Sequence, residues 1–320
     1  MRLFGFSLAA IGVLLTGCIS MPAPAYRKVD QETPAFKEAV TREAARQQER
    51  GKSPAQAQEI ATQKVIRQII KMEQDRRLEQ VTPLLTALTA LDRPRGCWAY
   101  TLTTATCLPD KTTVVVERYD AFQPEERLWT LVMRDGQAPD EKTQANYRRA
   151  KVNAWKKQLK QSPPKYSQTE SLNLQAVWGE MEVTPSDPSG TITFTFVRGH
   201  AHVAMIGDIP RWRETYATDI ANHTMLRHAQ ILLEPAVMLS GSIKLETWDS
   251  STDYIVLDPA LPPFIAKTKS HYRGRFFGRD TGEVEIETVF SDYRRVKCYD
   301  KRFEVKIGEP SMTDLLPGKD

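Results

Sequence analysis

Little in this chain of 320 residues announces chemistry. It contains no His-Glu-x-x-His, no Gly-x-Ser-x-Gly, no phosphate-cradling glycine loop and no Cys-x-x-Cys pair. The signatures of zinc peptidases, α/β-hydrolases, nucleotide binders and dithiol redox centres are therefore missing, and no enzyme class is supported. An excess of one charge sign is missing too. The 44 Lys and Arg stand against 40 Asp and Glu for a net charge of +4, with the signs interspersed, which does not suit a nucleic-acid partner. Past the N-terminal 17 residues no apolar run approaches the ~20 residues that a membrane-spanning helix needs. No internal repeat or low-complexity block is present, and cysteine is scarce, with four in all.

The N-terminus carries the sharpest signal. Arg2 precedes an apolar run over residues 3–15, followed by Leu15-Thr16-Gly17-Cys18. A basic start and a short apolar core mark an export signal. Small residues before a cysteine resemble the lipobox of bacterial lipoproteins. That resemblance implies cleavage after residue 17 and a diacylated Cys18 as the mature N-terminus. Ile19 stands where an inner-membrane retention signal would place aspartate, so the resemblance implies an outer-membrane anchor with the protein facing the periplasm. Each buried methylene adds about 0.8 kcal/mol, and several acyl chains on one residue hold firmly. With Cys18 lipidated, Cys97, Cys107 and Cys298 remain in an oxidising compartment, enough for one bridge and one free thiol. Cys97 and Cys107 flank a segment that can close as a small loop and are the first choice; Cys97 with Cys298 is the alternative.

Residues 18–33 read as a tether and 34–92 as a helical segment. Thr33-Pro34 opens one helix that Gly51 stops, and Ser53-Pro54 opens a second with Gln56 placed for a capping box. Ile60, Ala61, Val65, Ile69 and Met72 give this second helix one apolar face, and Pro83 is expected to kink or restart it. Strand-like patterns rich in Trp, Tyr, Thr and Val follow at 97–104, 112–119 and 127–134. A helix over 140–161 ends at Pro163-Pro164. More strands are expected at 179–184, 190–198 and 200–206, a helix from Thr218 within 213–233, a hairpin of 240–248 with 253–257 about Asp249-Ser250-Ser251-Thr252, and a further strand in 297–309.

The stretch 264–294 organises the rest. Lys267, Lys269, His271, Arg273 and Arg275 alternate with Thr268, Ser270, Tyr272, Gly274 and Phe276; Glu283, Glu285 and Glu287 alternate with Val284, Ile286 and Thr288. Period-two alternation on both sides of the turn-prone Gly278–Gly282 cluster predicts an antiparallel hairpin with one charged face. Pairing Arg275 with Glu285 and Arg273 with Glu287 makes a salt-bridged outer face, not an acid/base site. The opposite face, with Tyr272, Phe276, Val284, Ile286 and Phe290, must cover something apolar.

Glu117-Arg118-Tyr119-Asp120, Leu128-Trp129-Thr130-Leu131, Asp135-Gly136-Gln137-Ala138-Pro139, Tyr147-Arg148-Arg149, His271-Tyr272-Arg273-Gly274-Arg275 and Ser291-Asp292-Tyr293-Arg294 together resemble a group of uncharacterised exported proteobacterial proteins. These in turn resemble the lipoprotein carriers LolA and LolB. The resemblance spans about two thirds of the chain, residues 97–295. It implies an α+β fold with a curved antiparallel half-barrel over 95–309, helices on its concave side, and a tail at 310–320. LolB is itself an outer-membrane lipoprotein, so the anchor points to the receiving end. The expected function is the holding of acyl chains or a lipidated partner in an apolar cavity lined by Tyr272, Phe276, Val284, Ile286 and Phe290, with no cofactor and no covalent chemistry. The alternative is an envelope scaffold that recruits a protein partner through the helices of 34–92. His200-Ala201-His202 would set two rings on one strand face, the start of a metal site. His223 and His228 lie about 140° apart on a helix and cannot join them, so ordinary surface histidines are expected.

Overall fold

The computed structural model describes residues 29–159, 180–184, 187–198, 201–203, 207–209, 211–238 and 242–299. The expectations for Cys18, the signal, most of the tether, His200 and the tail fall outside them. The described chain is α+β: three helices, α1 (Pro34–Glu49), α2 (Pro54–Leu91) and α3 (Glu141–Leu159), accompany thirteen strands. These are β1 (Trp98–Leu108), β2 (Lys111–Asp120), β3 (Trp129–Arg134), β4 (Glu180–Thr184), β5 (Thr191–Arg198), β6 (Ala201–Val203), β7 (Gly207–Ile209), β8 (Trp212–Asp219), β9 (Thr224–Leu232), β10 (Ala236–Met238), β11 (Ile243–Ile255), β12 (Phe264–Phe276) and β13 (Arg279–Arg295). Hydrogen bonding follows the order β3-β2-β1-β13-β12-β11-β9-β8-β5-β4, with β10 added to β11 and β6 paired with β7 separately. This large sheet is open among the described residues, since β3 and β4 end the order.

The chain divides into two compact units. The larger takes Met1–Pro94, Thr104–Thr113 and Gln161–Val289, the smaller Arg95–Thr103, Val114–Lys160 and Phe290–Asp320. Strands β1, β2 and β13 run through both.

In the larger unit the helices begin as their sequences dictate. The Thr33 and Ser53 hydroxyls accept hydrogen bonds from the Phe36 and Gln56 amides, each with proline just inside the helix. Phe36, Val40 and Ala44 of α1 pack against Ala61 and Val65 of α2. Buried Glu43 accepts from Lys64 and Gln47 at 2.7 and 2.8 Å, and those bonds, that of Lys64 foremost, hold its carboxyl below the usual range. Pro83 does not divide α2, which runs unbroken for 38 residues. From Val81 onward the helix packs on the sheet instead of α1: Val81, Leu84, Ala87 and Leu88 bury against Phe194, Phe196, Tyr216 and Met225 of β5, β8 and β9.

Three local expectations are corrected. The segment 213–233 is a hairpin, β8 with β9, not a helix from Thr218. Trp212, Glu214, Tyr216 and Thr218 are all buried on alternate positions, a strand period, and Asp219 closes the turn on the Ala221 and Asn222 amides while His223 takes φ +49°. Residues 249–252 are not a turn. They sit midway along β11, paired with 268–271 of β12 on one side and 228–231 of β9 on the other. Two ladders outweigh the turn preference of Asp and Ser. The β12–β13 reversal lies earlier than the glycine cluster suggested, at Phe277-Gly278, because Phe276 pairs with Arg279.

The charged ladder therefore has another register. Arg273 faces Glu283, His271 faces Glu285 and Lys269 faces Glu287, four residues removed from the expected Arg275–Glu285 pairing. The contacts run diagonally: Lys267 to Glu287 and Lys269 to Glu285 at 2.8 Å each, and His271 to Glu283 at 2.6 Å. A bulge between Leu245 and Thr247 brings β11 so close to Gly274 that any Cβ there would collide with the Lys244 carbonyl.

Candidate functional site

Two aromatic clusters, one in each unit, hold the side chains that sequence reasoning singled out. In the larger unit Trp212 of β8 and Leu232 of β9 are cross-strand partners, and they join Ala236, Leu245 and Trp248 in a buried cluster. Tyr272, Phe276 and Ile243 pack around it and are only half-buried. The rings form a belt: Trp212 meets Trp248 edge-on at 6.2 Å, Trp248 stacks on its cross-strand partner Tyr272 at 5.9 Å, and Tyr272 meets Phe276 edge-on at 6.2 Å. Burial pushes the Tyr272 hydroxyl above the usual phenol range. Val284, buried, lies opposite Tyr272, and half-buried Ile286 lies opposite Ser270. The strip beside the belt is polar, with Glu214 accepting from Tyr216 at 3.0 Å and from Gln230 at 2.9 Å.

One atom of the belt stands out. The Trp248 indole Nε1 is buried and has no hydrogen-bond partner among the described residues, although an indole N–H in an apolar setting normally finds an acceptor. An acceptor with an apolar body, such as an acyl ester or a fatty-acid carboxyl group, has the matching chemistry.

Of the five expected lining residues, Phe290 parts from the rest. It belongs to the smaller unit and packs on Tyr100 at 5.9 Å. Tyr100 is the centre there, with Tyr119 stacked at 5.0 Å, Tyr293 at 5.4 Å and Trp129 edge-on at 6.3 Å. Burial, then the neighbouring phenols and Glu117, drive its hydroxyl far above the usual range, and Tyr293 is pushed up to about 12, chiefly by burial. Helix α3 lays a polar stripe over this region: Tyr147 donates to Glu117 at 2.6 Å, and Lys151 pairs with Glu117 at 2.7 Å while lying 4.4 Å above the Trp129 ring. Burial and the Glu117 bond raise the Tyr147 hydroxyl, so it holds its proton and acts as a donor. Both amide atoms of Gln144 and the Nε of Arg148, on the same helical stripe, are buried without hydrogen-bond partners among the described residues.

Glu117, Trp129, Tyr147 and Lys151 were not foreseen as a constellation. The signal was nonetheless present, because all of the separate stretches behind the resemblance except 271–275 fall in this unit: Glu117 meets Tyr147, Tyr119 meets Trp129 at 5.0 Å, and Asp120 pairs with Arg294 at 3.3 Å.

The first-choice disulfide is corrected. Cys97 bonds Cys298, with Cα atoms 5.2 Å apart and a sequence separation of 201, while Cys107 is free and exposed. Cys97 immediately precedes β1 and Cys107 lies near its far end; an extended strand of this length holds its ends some 30 Å apart, so no small loop forms. The Cys97 carbonyl accepts from the Val296 amide, which carries Cys298 alongside. His202 lies in β6 opposite Asp208, and among the described residues no group of three or more His, Cys, Asp or Glu is placed to hold a metal.

No family model and no curated protein matches the chain. Among solved structures it is similar to a LolA superfamily protein from Nitrosomonas europaea, at 11% identity and a TM-score of 0.21, over 69% of this chain and 96% of that one. The likeness is faint at that score, and the residues of this chain carry the functional reading.

Proposed function

We propose that this is a lipid-anchored outer-membrane protein, LolA/LolB-like in its open half-barrel, that faces the periplasm and holds acyl chains or a lipidated partner on its sheet without covalent chemistry. The observation that carries the reading is the belt of Trp212, Trp248, Tyr272 and Phe276, whose outer rings are half-buried and whose central indole N–H lacks an acceptor. An acyl chain would complete the burial of the rings, and its carbonyl or carboxyl oxygen would accept from Trp248. Anchorage at Cys18 keeps the site at the membrane where such ligands reside.

The test replaces Trp248 by its benzothiophene analogue, in which sulfur takes the place of the indole N–H and the bicyclic shape is kept. Displacement of a fluorescent fatty acid from the purified protein, and mass spectrometry of co-purified lipid, are expected to show weaker binding with an unchanged melting temperature. Equal binding by the benzothiophene variant rejects the hydrogen bond, and absence of lipid from the wild-type protein by both methods rejects the site.

A second reading has its own observation. Helices α1 and α2 form a separate core, and Ile60, Ile69 and Met72 of α2 are exposed, Met72 by 71%. In this reading α1 and the first half of α2 recruit an envelope protein. Replacing Ile69 and Met72 by Gln should then abolish crosslinking to that partner while fatty-acid binding persists; retained crosslinking counts against it.

A further inference from the structure

Beside the aromatic belt the same face of the sheet changes character within one step along each strand. Trp248, Ser250 and Thr252 alternate on one face of β11, and their cross-strand partners on β12 are Tyr272, Ser270 and Thr268. On β13 these meet Val284, Ile286 and Thr288. On the other side Ser250 and Thr252 face Gln230 and His228 of β9, which face Glu214 and Tyr216 of β8. The Thr288 hydroxyl reaches that of Thr104 in β1 at 3.0 Å. Next to the aromatic row therefore runs a row of Glu214, Gln230, Ser250 and Ser270, and next to that a row of Thr252, Thr268, Thr288 and Thr104. All of these residues belong to the larger unit.

A sheet face that a fold covers for itself is ordinarily apolar. Here α2 closes over β5, β8 and β9 with Val81, Leu84 and Leu88, and the six hydroxyl side chains of the two rows stay half-buried. Those of Ser250, Ser270, Thr252 and Thr268 have no hydrogen-bond partner among the described residues. At the border with the belt stands the Trp248 indole N–H, also without an acceptor among them. The cations of β12 lie on the opposite face, where Lys267, Lys269 and Arg273 pair with Glu287, Glu285 and Glu246. On β9, β11, β12 and β13 the two rows hold no lysine or arginine, while Glu214 beside them is only 3% exposed.

We propose that these rows are the headgroup subsite of the belt, and that the lipid held there carries a neutral sugar. The proposal rests on the acyl-binding reading and adds the chemical class of the ligand. Hydroxyls and an amide both donate and accept, as a sugar does. A phosphate or carboxylate head would meet a buried carboxyl group and no cation on these strands, which selects against it. The rows cross five neighbouring strands, β9, β11, β12, β13 and β1, a span of about 19 Å at the usual strand spacing. That length suits linked sugar rings and exceeds a glycerol.

The test displaces a fluorescent fatty acid from the purified protein with amphiphiles of one chain length: dodecyl maltoside, monolauroylglycerol and dodecyl phosphate, each below its micellar concentration. Dodecyl maltoside is expected to act at a concentration about tenfold lower than the other two, the gain of one or two net hydrogen bonds. Its advantage should vanish in the double variant Ser270→Ala, Thr268→Val and shrink in Thr268→Val alone, a substitution that favours the strand. Monolauroylglycerol as effective as the maltoside overturns the sugar, and dodecyl phosphate as effective overturns the neutral headgroup; in both cases the acyl belt stands. An advantage retained in both variants removes the two rows as the subsite. Failure of the wild-type protein to take up the fluorescent probe at all is the separate failure of the acyl-binding reading, and takes the sugar lipid with it.

Discussion

Two stretches of the larger unit bury aromatic rings on neighbouring strands of one sheet, and they end in different states. Under the second half of α2 the burial is complete: Phe194, Phe196, Tyr216 and Met225 are each at most 1% exposed, and Leu84 of the helix is sealed. Around Trp248 it is incomplete, with Tyr272, Phe276 and Ile243 half-buried and the indole N–H unmatched. The sheet contributes Phe, Tyr and Trp to both places. What differs is the cover, since α2 supplies four buried apolar residues to the first cluster, with Leu85 and Leu91 beside them, and none to the second. A surface that folding leaves half-finished is the one available to a ligand.

The sharpest way to break this contrast is truncation on the closed side. Phe196→Ala removes a fully buried ring and should cost about 3 to 5 kcal/mol in unfolding free energy, without regard to added lipid. Phe276→Ala, on the open side, should cost about 2 kcal/mol in lipid-free protein because only part of the ring has packed neighbours to lose. It should also weaken displacement of the fluorescent fatty acid severalfold. Denaturant unfolding of both variants with and without fatty acid checks the pair. A similar lipid response at both positions would erase the distinction between core and site.

How much of this was legible in the chain depends on how local each signal was. Thr33-Pro34 and Ser53-Pro54 fixed two helix starts because a cap involves only adjacent residues. The period-two alternation of 264–294 revealed β12 and β13 for the same reason. Their register was not legible. Cations and carboxylates repeat every second residue on both strands, so shifted ladders are almost equally complementary, and the turn that decides among them uses Phe277 where no rule expects it. Tyr272 and Phe276 were readable as apolar-facing, but Trp212 and Trp248, their partners in the belt, come from distant strands that sequence spacing does not relate. The Cys97–Cys298 bond ranked only second for the same reason, as its 201-residue separation offers nothing to a loop-length argument. Residues 249–252 misled because Asp and Ser favour turns only when no ladder claims their backbone.

The smallest expected effect lies behind the open belt and tests whether the back of the sheet holds it in shape. His271 touches both neighbouring strands, with Nδ1 3.1 Å from Asp249 of β11 and Nε2 2.6 Å from Glu283 of β13. These three strands carry Trp248, Tyr272 and Val284 on their other face. Partial burial alone would lower the imidazole, but the hydrogen bonds and charges of Asp249 and Glu283 outweigh it and raise His271 above its usual 6.5. A group raised on folding stabilises fully below its unfolded value, and that contribution disappears as pH climbs through the folded value. Glu285 works in the other direction: its hydrogen bond from Lys269, followed by the attraction of that ammonium, lowers it below 4.5, so its contribution is present above 4.5 and fades as pH falls through the folded value. Both are at full strength together in mildly acidic solution, between 4.5 and 6.5. The melting-temperature difference between the wild-type protein and His271→Gln should therefore be largest there and shrink toward mild alkali, and added salt should reduce it because the ladder is partly exposed. A difference that grows with rising pH would mean that His271 is neutral in the folded protein, and that the two carboxylates beside it do not clamp the strands.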